Sequence, residues 1–375
     1  MPYDALTIDT NVIYGENFDL ESGLLAQISQ FAEAGDVQFV VSDIVLQETH
    51  KRLLMMAKST RDKFETATRE ALNRQVLKPD AGETLVGIIG GMASAKQSAD
   101  DRLALFLKST NATVVGVEHA DTRQLTKLYF SNSAPFDAAG PKKAEFPDAI
   151  ALLSLEAWAA SRGEKIIAVS KDAGWAKFAE NSEHIDVVPD LAVGLERLQT
   201  DAVRVAEVIN AFLLRAMSGA LPDAMSRLQR GFEAAAAQLE LYPEATSGHY
   251  FEGEVTRSAL RKFHFEEEAE GVLDLTIVRA DTGEVVVRAG VWLDVTVEAS
   301  FQLQHWDGID REYVPLGSTP AVMDTDFSAG ALISFHGDLS DPDTLVVGHV
   351  ELVDVIDTVD FGEIEPYRED AYYEA

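Results

Sequence analysis

Over residues 1–200, five short apolar runs at 5–8, 37–41, 113–117, 165–169 and 185–188 alternate with stretches of helical periodicity. Strands separated by helices read as βαβ units, because parallel neighbours need a crossover that returns the chain to the same end of the sheet. The N-terminal part is therefore expected to be a three-layer α/β/α domain with a mostly parallel central sheet. Ile44-Val45-Leu46 opens a long polar helix, and residues 149–160 form another, entered through Pro147 and ended at Gly163.

At 375 residues the chain exceeds the size at which one core keeps growing, so two domains are expected. Residues 201–240 are alanine-rich, with Val203, Val205, Val208, Ile209, Phe212, Leu213 and Leu214 on an apolar face, and read as a helical connector over 201–245 that links or caps the domains. Past Tyr250 the period shortens. Runs at 273–279 and 285–288 flank Ala280-Asp281-Thr282-Gly283-Glu284, a hairpin signal. Further strands are expected at 291–297, 331–335 and 344–355, making 246–375 a β-rich domain whose core includes Phe301, Trp306 and Tyr313. The expected divisions are 1–200, 201–245 and 246–375.

The formal net charge is -32, and residues 246–375 contribute 28 acidic and 7 basic residues, or -21 of it. Such a chain repels polyanions over long range, so any contact with nucleic acid is local. The one basic strip is Lys51, Arg52, Lys58, Arg61, Lys63, Arg69, Arg74 and Lys78. With no cysteine, thiolate metal sites and disulfides are excluded. No apolar stretch approaches membrane-spanning length and Met1-Pro2-Tyr3-Asp4 opens no signal segment, so the expectation is a cytoplasmic protein with no membrane partner.

Asp9 ends the first apolar run, in Leu6-Thr7-Ile8-Asp9-Thr10-Asn11, and Asp172 follows the fourth, after Ser170 and Lys171. Acids just past the C-terminal ends of buried strands lie where open α/β sheets keep their ligands. With Glu48 and Asp148 they make a set of carboxylates suited to a hard divalent cation such as Mg²⁺ or Mn²⁺. Each has an ordinary reading as well: Asp148 sits in the first turn of a helix, where an acid favours the dipole, and Glu48 reads alone as an exposed helical acid. Asn11 and Ser170 are neutral oxygen donors beside two of the acids, or turn residues.

Asp9-Thr10-Asn11 after the first strand, Glu48 in Val45-Leu46-Gln47-Glu48-Thr49, Asp148 in Phe146-Pro147-Asp148-Ala149-Ile150, and Ser170-Lys171-Asp172 after the fourth strand together resemble the PIN-domain nucleases over residues 4–190. The segment Lys142-Lys143-Ala144-Glu145-Phe146-Pro147-Asp148-Ala149-Ile150 is similar to that of a larger PIN-like subgroup. The resemblance implies a PIN-like fold and a metal-dependent phosphodiesterase, usually an endoribonuclease. It makes Asp9, Glu48, Asp148 and Asp172 the catalytic and metal-holding acids around Mg²⁺ or Mn²⁺, with Asn11 and Ser170 in support. The chain between Glu48 and Asp148 is longer than a minimal PIN domain carries, and substrate choice is expected there. Members serve in toxin systems, RNA processing and defence, a stress or defence role is the one expected for this chain, and dimers are frequent among them.

Lys51 and Arg52, one turn beyond Glu48, are candidates for phosphate contact or simply a solvated helix face. Lys142 and Lys143 lie in a Pro-, Gly- and Ser-containing stretch at 131–145 that reads as a lid or as an ordinary loop. Trp175 reads as core before it reads as a base-stacking ring. A haloacid dehalogenase-like phosphatase would want a second acid two residues after Asp9, where this chain has Asn11. His249, His264, His305, His336 and His349 have no short ligand spacing. The expected partners are a nucleic acid, RNA before DNA, a possible second copy, and a protein held by the acidic C-terminal domain. The alternative is a catalytically silent PIN-like scaffold that acts through that acidic domain.

Overall fold

A computed structural model describes residues 3–34, 37–136, 145–281, 283–309 and 311–366. The chain divides into two compact units, Met1–Thr200 and Asp201–Ala375.

The first unit is built on strands β1 (Ala5–Ile8), β2 (Gln38–Ser42), β3 (Thr113–Val115), β4 (Ile166–Val169) and β5 (Ile185–Val188). They form one parallel sheet in the order β3-β2-β1-β4-β5. β1 and β4 are buried along their whole length, as central strands covered on both faces must be. Helices α1 (Thr10–Gly15), α2 (Gly23–Gln27), α3 (Gln30–Ala34), α4 (Asp43–Asn73), α5 (Pro79–Gly91), α6 (Ala95–Ser109), α7 (Thr122–Ser131), α8 (Phe146–Arg162), α9 (Ala173–Ala179) and α10 (Leu191–Glu196) make the connections. The third strand stops two residues earlier than the apolar run suggests, because Val117 already opens a short 3-10 turn.

Strand order reverses at β1: β2 and β3 lie to one side, β4 and β5 to the other. The crevice at this switch point, beyond the carboxyl ends of β1 and β4, is where such sheets bind ligands. Ile8 pairs with Val169, so the residues that follow them, Asp9 and Ser170, leave the sheet side by side. Helix α8 begins with Pro147 in its first turn and ends on Gly163 at φ +71°, a conformation glycine adopts without penalty. Its apolar side, including Leu152, Leu155 and Trp158, packs in a core with Ala5, Val40 and Ile166.

Between Glu48 and β3 the chain forms the rest of α4 and helices α5 and α6. α4 is capped by Ser42, whose Oγ accepts from the Ile44 N–H at 3.3 Å. Arg61 on α4 donates to the carbonyls of Ile89 and Ala93, holding the C-terminal end of α5 against its neighbour.

In the second unit the segment expected to connect the domains is instead part of a domain. Helices α11 (Ala202–Met217) and α12 (Pro222–Ala236) share one core with the sheet: Ile209, Phe212, Leu213, Leu228 and Phe232 pack with Phe263, Val287, Leu293, Phe301, Ile333 and Phe335. Their apolar faces have a sheet to cover, which is the physical reason they do not run free between units. The strands are β6 (Tyr242–Thr246), β7 (Tyr250–Phe265), β8 (Glu267–Ala269), β9 (Val272–Leu273), β10 (Leu275–Asp281), β11 (Glu284–Asp307), β12 (Glu312–His336), β13 (Val346–Val353) and β14 (Thr358–Glu363). β10, β11, β12 and β13 pair antiparallel in that order, and β7 pairs with β11 beyond β10. The expected run at 291–297 is the middle of the 24-residue β11.

Phe301 is fully buried as expected, but Trp306 and Tyr313 are not core residues: each is 49 % exposed. They pair across β11 and β12 near the hairpin end, beyond the last residues of β11 that pair with β7.

Candidate active site

The site starts from Asp9. Its N–H donates to the Val169 carbonyl at 2.9 Å, continuing the sheet by one bond, and it then becomes the N-cap residue of α1. The side chain is 6 % exposed. A buried carboxylate needs donors, and two converge on Oδ2: Ser170 Oγ and Asn11 Nδ2, each at 2.6 Å. Asn11 also donates to Ser170 Oγ at 3.2 Å and accepts from the Lys171 N–H at 3.2 Å. Ser170 Oγ in turn accepts from the Asp172 N–H at 3.0 Å. The expected neighbours of the first acid thus form one connected network across the ends of β1 and β4.

Asp172 caps α9 by accepting from the Gly174 N–H. A Cβ at Gly174 would stand 2.7 Å from Asp172 Oδ1, so glycine is what lets the carboxylate lie there. Asp148, in the first turn of α8, accepts from Trp175 Nε1 at 3.1 Å. Trp175 is 1 % exposed, a core residue as its bulk suggests, with its one polar atom spent on orienting an acid of the site. Glu48 on α4 is exposed and accepts from Thr10 Oγ1 at 2.7 Å, which ties it to the residue after Asp9.

Electrostatics bring three of these acids together. Burial, and after it the charges of Asp148 and Asp172, push the Asp9 carboxyl up to about 6 against the lowering effect of the Ser170 and Thr10 hydrogen bonds. Asp148 and Asp172 therefore lie within electrostatic reach of Asp9. Glu48 joins through Thr10. Among the described residues no group of three His, Asp or Glu side chains is already gathered as a metal cage. The donor chemistry nonetheless fits a hard divalent cation: carboxylate and hydroxyl oxygens, with a buried acid whose ionisation its acidic neighbours oppose.

Lys51 and Arg52 are exposed on α4, and the Arg52 guanidinium lies 5.5 Å from the centre of the Tyr14 ring on α1. Lys142 and Lys143 lie outside the described residues. Four contributors carry no individual signal in the sequence: Thr10, Tyr14, Gly174 and the indole N–H of Trp175. The only hint of Tyr14 in the sequence is an aromatic three residues past Asn11; in the structure its ring is 60 % exposed.

Residues 6–175 match the model of the PIN domain family, and the match ends before the second unit. No curated protein and no solved structure matches the chain. PIN domains are generally nucleases and typically use divalent metals. The five-stranded parallel sheet, the acids at its switch point and the family match agree, and the N-terminal unit of this chain is a PIN domain.

Proposed function

We propose that this chain is a divalent-metal-dependent endonuclease that hydrolyses phosphodiester bonds in RNA, with Asp9, Glu48, Asp148 and Asp172 as the acids of its catalytic centre. One observation carries the reading. Asp9, buried at the switch point of a PIN-domain sheet, is destabilised as an anion first by burial and then by Asp148 and Asp172. Carboxylates at such a position oppose one another unless positive charge is held between them, which is a reason to expect a cation there.

When bound, Mg²⁺ or Mn²⁺ supplies a water of lowered pKa and neutralises charge on the scissile phosphate. The chain's own residues do the rest. Asn11 and Ser170 fix Asp9 Oδ2, Trp175 orients Asp148, the Gly174 N–H orients Asp172, and Thr10 orients Glu48. Lys51 and Arg52 stand on the same helix as Glu48 and are suited to phosphate oxygens of the bound strand. Lys142 and Lys143, six and five residues before Asp148 in the chain, are further candidates for that contact by charge alone.

The test is cleavage of a panel of RNA and single-stranded DNA by wild type and Asp9→Asn, with Mg²⁺ and with Mn²⁺. Wild type is expected to cut RNA and the variant to lose that activity. Equal activity in both proteins would remove Asp9 from the mechanism, and no cleavage with either metal would favour a silent scaffold.

A further inference from the structure

Residues 51–78 contain eight basic and three acidic residues, a net of +5 in a chain of -32. Where those charges fall on α4 is more informative than their number. At roughly 100° per residue, Lys51, Lys58 and Arg69 lie within about 20° of one line along the helix, and Arg52, Lys63 and Arg74 fall within about 40° on a second line. Glu48 and Asp62 stand at angles between the two rows, as do the uncharged and exposed Met55, Ser59 and Thr66, and Glu70 falls on the second row. The rows run for ~33 Å from Arg52 to Arg74.

All six basic residues are exposed. Among the described residues none of the six is in an ion pair, although Asp62 and Glu70 lie within a turn of them. In the second unit, by contrast, Arg215, Arg257, Arg261, Arg279 and Arg288 each pair with a carboxylate. Unpaired cations retained in so acidic a chain point to a polyanion as their partner. The interior of the strip also has structure: Arg61, unlike the six, is spent on Glu65 and on holding α5.

We propose that the outer face of α4 is a phosphate track, on which a single strand of nucleic acid lies between the rows Lys51-Lys58-Arg69 and Arg52-Lys63-Arg74 and is delivered to the acids at the Glu48 end. This rests on the nuclease reading and adds to it the substrate class and the length of strand engaged. A single strand is what the shape takes. A duplex is a convex cylinder and touches a straight exposed helix over a short length, and the A-form major groove is too narrow to admit one. The strip between the rows carries the small or uncharged Met55, Ser59 and Thr66 beside the acids Glu48 and Asp62 and leaves room for bases, and the exposed Tyr14 ring beside Arg52 offers a stacking surface where the track meets the site.

The test uses the full chain carrying Lys63→Glu, Arg69→Glu and Arg74→Glu together, all distal to the acids. Its substrates are an RNA strand of about 24 nucleotides, one of about 4 that ends before Lys63 at ~3.4 Å per nucleotide, and a duplex of the long strand. On the long strand the variant is expected to show KM raised about tenfold or more with kcat unchanged. Binding followed by fluorescence anisotropy should lose about 2 from its slope of log K against log salt, at ~0.7 per single-strand contact. Cleavage of the short strand should not change. A Lys63→Gln, Arg69→Gln, Arg74→Gln variant with the same but smaller shift guards against damage from the added acids, and circular dichroism checks the fold of both. Unchanged KM and salt slope in a protein that cleaves RNA would overturn the track and leave the nuclease reading standing. A duplex bound as tightly as the single strand, with equal sensitivity to the variant, would overturn the single-strand assignment. If wild type cuts nothing, the nuclease reading falls, and the salt slope still decides whether α4 holds the strand.

Discussion

Ser170 Oγ donates to Asp9 Oδ2 at 2.6 Å, joining the carboxyl ends of two strands that are 161 residues apart in sequence and adjacent in the sheet. This bond is the main attraction that keeps the Asp9 carboxylate tolerable in its buried position, where desolvation pushes its pKa up to about 6. A carboxyl whose folded pKa exceeds its unfolded value binds its proton more tightly when folded, so its ionisation opposes folding. The penalty is absent below about pH 4 and fully present above about pH 6, and amounts to on the order of 3 kcal/mol.

Asp9→Asn should therefore separate stability from activity. Without added metal at pH 7 the variant is expected to melt above wild type, because Asn removes the ionisation cost and keeps a partner for Ser170. Between pH 7 and pH 4 that advantage should disappear as wild type takes up its proton. Mg²⁺ should raise the melting temperature of wild type more than that of the variant. Thermal melts at several pH values, with and without metal, check each part; a variant less stable at pH 7 and insensitive to pH would contradict the burial account.

Ser170→Ala removes a lowering influence from Asp9, so the Asp9 pKa should rise beyond about 6. The acid limb of the pH profile of cleavage is expected to move to higher pH, with activity recovering as the solution becomes more alkaline. A uniform loss at every pH would assign Ser170 to positioning alone. The same substitution deprives the Asp172 N–H of its acceptor, so the recovery should be incomplete.

Trp175→Phe keeps most of the buried ring and deletes the N–H that reaches Asp148 at 3.1 Å. A hydrogen bond to a charged group contributes ~1.5–3 kcal/mol, and its loss at a reacting centre appears as misorientation. The expected outcome is kcat lowered about tenfold or more with KM for RNA little changed. A rise in KM alone would instead place Trp175 in substrate binding, which its 1 % exposure argues against.

The first unit was legible because its information is local. β1 and β4 are continuous apolar runs, and the acids follow them directly, so strand ends and site could be read together. The hydrogen bonds that make Asp9 a site depend on which strands become neighbours, and only the order β3-β2-β1-β4-β5 puts Ser170 against Asp9. The roles of the Thr10 hydroxyl and the Trp175 N–H were invisible for that reason: each acts through a contact with a residue at least 27 positions away. In the second unit, β11 alternates buried and half-exposed residues over most of its length, yet Gly290 and the polar positions broke the run into apparent pieces. Trp306 and Tyr313 were read as core because aromatics in strands usually are, and only the extension of β11 and β12 past β7 shows them half-exposed.

The placement of α11 and α12 yields the last prediction. Phe232 stacks on Phe263 at 4.2 Å and Phe212 meets Phe335 at 5.8 Å, so the two helices cover the apolar face of the sheet. Starting the second unit at residue 246 would uncover Phe263, Phe265 and Phe335, which meet Phe232 and Phe212, at ~1.5–3 kcal/mol for each large side chain exposed. Such a total is comparable to the whole stability of an ordinary domain. A fragment of residues 201–375 is expected to fold cooperatively in urea, whereas 246–375 should aggregate or stay unfolded by circular dichroism and amide-proton dispersion. Within the longer fragment, Phe232→Ala should cost ~3–5 kcal/mol, read from the urea midpoint. If 246–375 folds alone with a sharp transition, the helices are a cover for the sheet and not part of its core, and the domain boundary moves back to the one the sequence suggested.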